Sequence, residues 1–225
     1  MRNIDLGYKD SVRQFADVSG DGQVDYCREI GDRPSSWISC LISTDNGNGF
    51  LSGDQGYRIN DKGYHNSIRQ FADVNGDGKA DYCREVGNPP NTFIACALAT
   101  DSGFQEEYGY GRINDKGYDN PLRQFADVNG DGKTDYCREV GNPPNTFISC
   151  AMATNNGFNE YGYRINDKGY HNSIRQFADV NGDGKADYCR EVGNRPDSYI
   201  SCAIATDSGF DEYGLKLSDH SEWDL

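Results

Sequence analysis

Residues 70–87 read QFADVNGDGKADYCREVG, and the phrase returns at 14–31 (QFADVSGDGQVDYCREIG), 124–141 (QFADVNGDGKTDYCREVG) and 176–193 (QFADVNGDGKADYCREVG). The aligned phenylalanines Phe15, Phe71, Phe125 and Phe177 are spaced by 56, 54 and 52 residues, and residues 56–88 and 162–194 are identical throughout. Four copies of one unit therefore fill the chain, over about 8–63, 64–117, 118–169 and 170–217, and leave a polar tail, 218–225 (SDHSEWDL). A repeat of this period must be recognised before anything else, because it decides the architecture.

Each unit reads as short strands rich in Val, Ile, Phe, Tyr and Thr, separated by Gly, Asn, Asp and Pro clusters. In the second unit the strands are predicted at 67–74, 80–86, 92–100 and roughly 107–113. No segment keeps a helical apolar period over three turns. The third strand (TFIACALAT, 92–100) is apolar on both faces and so expects cover on both. Four strands in about 40–60 residues is the pattern of a propeller blade. The expected fold is all-β: one propeller domain, 1–217, of four tandem four-stranded blades.

The cysteines fix the register within each unit. They fall as Cys27/Cys40, Cys83/Cys96, Cys137/Cys150 and Cys189/Cys202, each pair thirteen apart and straddling a turn signal (Arg33-Pro34, Pro89-Pro90, Pro143-Pro144, Arg195-Pro196). In an antiparallel hairpin, residues equidistant from the turn face each other. Four disulfides between second and third strands follow, each closing a short loop and stabilising by about 3 kcal/mol. Disulfides form in an oxidising compartment, so a secreted, extracellular protein is expected, with Met1 standing where a leader was removed.

The loop between the first two strands is D-x-[SN]-x-D-G-x-x-D. Oxygen ligands at its first, third and fifth positions, a glycine at the sixth and a backbone carbonyl at the seventh suit a hard cation. The expected ligands are Asp17, Ser19, Asp21, Gln23 and Asp25; Asp73, Asn75, Asp77, Lys79 and Asp81; Asp127, Asn129, Asp131, Lys133 and Asp135; and Asp179, Asn181, Asp183, Lys185 and Asp187. The expected cofactor is Ca2+, about four ions, one per repeat. The twelfth position is arginine (Arg28, Arg84, Arg138, Arg190), so the loop is no EF-hand. With these motifs in view, the unit resembles the FG-GAP/VCBS-like repeats of integrin-type β-propellers, across all four units. That resemblance implies a calcium loop in each blade and extracellular recognition, in several cases of glycans. Four blades closing alone and two chains completing a larger ring both satisfy the repeat count.

Net charge is −14, from 22 Lys+Arg and 36 Asp+Glu, which argues against nucleic acid or membrane surfaces as partners. No apolar run of membrane-spanning length occurs. The blade-to-blade segments, NDKGYHNS (60–67 and 166–173) and NDKGYDNP (114–121), carry an aromatic beside charged and amide groups, as sugar recognition requires. The candidate ligand contacts are Tyr8, Asp61, Lys62, Tyr64, Asp115, Lys116, Tyr118, Asp167, Lys168 and Tyr170. Trp37, Phe93, Phe147 and Tyr199 are expected to pack between blades, and Arg13, Arg69, Arg123 and Arg175 to pair with carboxylates. Histidines are only His65, His171 and His220, and no GxSxG, HExxH or CxxC motif is present. The expected function is a secreted, multivalent, lectin-like protein without catalysis, binding glycans or glycoproteins as a monomer or homodimer. The alternative is a protein-adhesion or accessory module of a larger secreted protein.

Overall fold

The computed structural model describes residues 12–31, 35–44, 49–50, 57–60, 68–88, 91–105, 110–114, 122–142, 145–167, 173–194 and 196–217. Among them every regular element is a β-strand, and no helix is long and apolar enough to cross a membrane. The first repeat supplies β1 (Arg13–Ala16), β2 (Asp25–Ile30), β3 (Trp37–Leu41) and β4 (Arg58–Asn60), antiparallel in that order. The second supplies β5 (Arg69–Ala72), β6 (Asp81–Asn88), β7 (Asn91–Ala97), a small hairpin of β8 (Ala99–Thr100) and β9 (Gly103–Phe104), and β10 (Tyr110–Asn114), which pairs with β7. The third has β11 (Arg123–Ala126), β12 (Asp135–Asn142), β13 (Asn145–Thr154), β14 (Gly157–Asn159) and β15 (Arg164–Asn166). The fourth has β16 (Arg175–Ala178), β17 (Asp187–Val192), β18 (Tyr199–Thr206), β19 (Gly209–Asp211) and β20 (Lys216–Leu217). In these two the long third strand shares its outer edge: β13 pairs with β14 and β15, and β18 with β19 and β20.

The cysteine spacing sets this register. Cys27, Cys83, Cys137 and Cys189 lie directly opposite Cys40, Cys96, Cys150 and Cys202, and all four pairs are bonded. The third strand is covered on both faces as its composition requires, with Ile94, Ala95, Cys96 and Ala97 in succession fully buried. The structure adds one device to the expected four strands. A threonine at the tip (Thr100, Thr154, Thr206) donates its hydroxyl to the carbonyl of Gly103, Gly157 or Gly209 at 2.6–2.7 Å, folding the strand back on itself.

The chain groups into two compact units: Met1–Asp115 with Thr154–Phe158, and Lys116–Ala153 with Asn159–Leu225. Within each, one sheet packs on the next through a shared apolar cluster. In the first, Val18, Cys27, Ile38, Cys40, Tyr57 and Ile59 meet Tyr82, Ala97, Ala99 and Phe104. In the second, Val128, Cys137, Ile148, Cys150 and Ile165 meet Tyr188 and Ala203. The same four contacts fasten both pairs of sheets. A glutamine amide donates to the first strand of the following sheet (Gln14 to the Arg69 carbonyl, 2.8 Å; Gln124 to the Arg175 carbonyl, 3.3 Å). The amides of Ala80 and Ala186 donate back to the carbonyls of Asp17 and Asp127, both at 2.7 Å. The side chains of Lys79 and Lys185 lie on Gly20 and Gly130, where a Cβ would sit 2.9 and 3.0 Å from Cγ. A tyrosine ring stands edge-on to a phenylalanine (Tyr57–Phe104, 5.5 Å; Tyr163–Phe210, 5.7 Å).

Trp37, Phe93, Phe147 and Tyr199 gain cover from within their own sheets. Each is half-buried and stacks under a cation from the fourth strand of its own sheet: Arg58 at 4.3 Å, Arg112 at 4.5 Å, Arg164 at 5.3 Å and Lys216 at 5.7 Å. A half-buried aromatic covered by a long cationic side chain keeps that face dry.

Candidate functional site

The acidic loop between first and second strands is built the same way four times. Its first aspartate turns inward onto the loop's own amides. Asp73 accepts from Gly76 (2.7 Å) and Asp77 (3.2 Å) on one oxygen and from Gly78 (2.8 Å) on the other. Asp127 and Asp179 repeat this arrangement with Gly130, Asp131 and Gly132 and with Gly182, Asp183 and Gly184, and Asp17 accepts from Gly20 and Gly22. The third position accepts from the fifth (Asp77 amide to Asn75, 2.9 Å), and the fifth from the seventh (Lys79 amide to Asp77, 2.9 Å). In the first repeat the Ser19 hydroxyl donates to Asp17, and Asp21 accepts from the Gln23 amide. Gly76 and Gly78 take φ of 78° and 83°, which only glycine adopts without strain.

The last aspartate of each loop is the keystone. Asp25, Asp81, Asp135 and Asp187 are fully buried. One oxygen of each accepts from the residue after the first aspartate (Val18, Val74, Val128, Val180; 3.0–3.1 Å), and the other from the far end of the third strand (Ser43, Ala99, Ala153, Ala205; 2.7–2.9 Å). Each carboxyl thus ties the end of the first strand to the end of the third. Burial pushes Asp81 and Asp135 up to about 7, against the lowering effect of those amide bonds, and raises Asp25 as well. The exposed Asp179 is held below its ordinary value, chiefly by the Gly184 amide.

This geometry corrects the calcium expectation. Among the described residues no group of three or more His, Cys, Asp or Glu side chains is placed to hold a metal ion. The carboxylates expected as ligands are spent on backbone amides: an Asx-turn loop and a calcium loop share one residue spacing and differ in where the oxygens point. At the seventh position, the side chains of Lys79 and Lys185 reach Asp101 and Asp207 at 3.2 Å, and Lys133 comes within 3.9 Å of Asp131.

Of the expected ligand contacts, Tyr8, Asp61, Lys62, Tyr64, Asp115, Lys116, Tyr118, Lys168 and Tyr170 lie outside the described residues. Asp167 is described, and it is structural. Its side chain is fully buried, pairs with Arg175 at 2.9 Å and accepts from the Tyr188 hydroxyl at 3.0 Å. That pair fulfils the carboxylate partnership expected of Arg175. Burial, then the Asp167 charge, raises the Tyr188 phenol and keeps it a donor.

Two recurrent groups escaped the sequence reading. Tyr57, Tyr110 and Tyr163 precede the Arg-Ile-Asn strand, and Tyr110 and Tyr163 donate their hydroxyls to the carbonyls of Thr154 and Thr206. Three recurrences of G-Y-(G)-R-I-N were the available signal. Arg28, Arg84, Arg138 and Arg190 are buried beneath the sheets, each 5.4–5.8 Å from the ring of the tyrosine two residues before it. Alternation along the second strand places Arg and Tyr on one face, and that signal was legible.

No known protein-family model matches the chain. A curated protein of Vibrio cholerae, the NAD(+)--arginine ADP-ribosyltransferase Chelt, is 32% identical to it over 143 residues. The match covers 62% of this chain and 22% of that protein, so the chain spans about a fifth of the length of the relative it matches. This finding overturns the expectation of a lectin-like chain, and with it the non-catalytic adhesion or accessory module.

Proposed function

We propose that this chain serves the transfer of ADP-ribose from NAD+ to arginine, as the β-repeat portion of an enzyme with that activity. The observation that carries the reading is the 32% identity over 143 residues to a protein named for that reaction. A match of that length in a chain filled with repeats falls on repeat sequence, so the repeats themselves are what the two proteins share. In the reaction the bond between nicotinamide and ribose breaks and nicotinamide leaves with its electron pair. A guanidinium nitrogen of the acceptor loses a proton and forms the new bond to ribose.

Two finer readings accompany this one. We infer that the four sheets are blades of a β-propeller of the FG-GAP/VCBS-like kind, which the fourfold sequence repeat and the recurring sheet-to-sheet fastenings support. We also infer secretion, which the four disulfides support because they form and persist in oxidising compartments.

The test is an assay of the natural polypeptide that carries this chain, with adenylate-labelled NAD+ and agmatine as a soluble arginine analogue. Label appearing on agmatine together with released nicotinamide is the expected result. Absence of both, with folded and oxidised protein, overturns the proposal.

A further inference from the structure

The sheet-to-sheet fastening described above has two sides, and among the described residues each is exposed at one end: in the fourth repeat and in the first. The leading side of a sheet offers a glutamine amide, an aspartate carbonyl, a buried valine, a bare loop glycine and a tyrosine: Gln14, Asp17, Val18, Gly20 and Tyr57 in the first repeat, and Gln124, Asp127, Val128, Gly130 and Tyr163 in the third. The fourth repeat has the same side in Gln176, Asp179, Val180 and Gly182, with Leu215 at the tyrosine position. There it is open. Val180 is 40% exposed where Val18, Val74 and Val128 are at 0%, and Leu215 is 48% exposed. Nothing lies within 4 Å of a Cβ placed on Gly182, whereas Gly20 and Gly130 carry lysine side chains.

The receiving side offers a phenylalanine and a tyrosine from the first two strands, with a lysine and a small residue before the second strand: Phe71, Tyr82, Lys79 and Ala80, or Phe177, Tyr188, Lys185 and Ala186. The first repeat has Phe15, Tyr26, Gln23 and Val24 at these places. Phe15 is 65% and Val24 57% exposed. Tyr26 is half-buried, where Tyr82, Tyr136 and Tyr188 are fully buried. The two open sides also depart from the internal pattern in the same direction. Val24 replaces an alanine or threonine, Gln23 a lysine, and Leu215 a tyrosine. Each change makes its side more apolar or less charged, and together they form a matched pair.

We propose that the open side of the fourth repeat receives the open side of the first repeat of a second copy of this chain. The Val24 amide then donates to the Asp179 carbonyl, as Ala80 and Ala186 do to Asp17 and Asp127; Val180 is covered by Phe15 and Val24, and Leu215 meets Phe50, as Tyr57 and Tyr163 meet Phe104 and Phe210. Two unlike surfaces carried on one chain pair head to tail, and a closed ring of copies leaves neither surface open. A second copy is the occupant because it supplies both counter-surfaces in equal number, and because this contact continues one the chain already makes twice within itself.

Sedimentation of the oxidised chain across a wide concentration range tests this, with Val180→Asp and Val24→Asp beside it. Both positions are exposed in the single chain, so a charge at either leaves the fold intact, and either variant carries the test alone. The unaltered chain is expected at two or more times the single-copy mass, and each variant at the single-copy mass, with all four disulfides retained. A single-copy mass for the unaltered chain at every concentration overturns the proposal. So does an assembly whose mass survives either substitution.

Discussion

Single residues carry this fold where a buried acceptor meets two strand ends. Asp81 receives the Val74 amide and the Ala99 amide and is fully buried. Asp81→Ala leaves both donors buried without an acceptor and is expected to cost about 2–6 kcal/mol, at roughly 1–3 kcal/mol for each orphaned group. A fall in the urea midpoint at unchanged slope checks it, and an unmoved midpoint contradicts the keystone role. The same residues set the pH dependence. Asp81 and Asp135 titrate near 7 in the folded chain against an ordinary 3.8. The folded state then binds more protons than the unfolded state between these values, so stability falls as pH rises from about 4 to about 7. Melting followed across that range should show the fall, and the Asp81→Asn, Asp135→Asn double variant should flatten it. The sequence located these loops correctly by their D-x-N-x-D-G-x-x-D spacing. It misled about their purpose, because spacing does not report whether carboxylate oxygens face a cation or the backbone amides.

At the scale of the element, the second-to-third-strand hairpin is the most legible part of the molecule. Cysteines placed symmetrically about a proline turn admit one register, and Cys137 stands opposite Cys150 as that symmetry demands. Cys137→Ser with Cys150→Ser releases a short loop in the unfolded chain and is expected to cost about 3 kcal/mol, read from the denaturant midpoint. The tip hairpins were less legible. The apolar run 92–100 carries no sign that the chain folds back after Thr100, a turn closed by the threonine hydroxyl reaching the Gly103 carbonyl. The cover of the third-strand aromatics was hard to read for a related reason. Trp37 and Phe93 look like core residues in one dimension, but their cover comes from Arg58 and Arg112 on a strand distant in sequence. Tyr163→Phe keeps the edge-on contact with Phe210 and loses the bond to the Thr206 carbonyl. It is expected to cost about 1 kcal/mol, whereas Tyr163→Ala is expected to cost about 3 kcal/mol or more because the ring also leaves a void. Equal costs for the two would contradict the bonded role of the hydroxyl.

For the whole molecule, repetition explains both what the sequence revealed and what it concealed. Four near-identical units made an all-β chain of four disulfide-bonded sheets readable from spacing alone. The same near-identity hides function, since a unit kept constant by packing carries little sign of the chemistry it accompanies. Its aspartates, arginines and tyrosines are consumed by turns, buried stacks and sheet-to-sheet fastenings. The enzymatic proposal rests on likeness to a longer protein, not on a catalytic motif. The most direct measurement is therefore nicotinamide release from NAD+ by the natural polypeptide, followed with and without an arginine acceptor. The account predicts release that rises with the acceptor and yields one ADP-ribose on the acceptor for each nicotinamide freed. Folded, fully oxidised protein that frees no nicotinamide and leaves the acceptor at its original mass would contradict it.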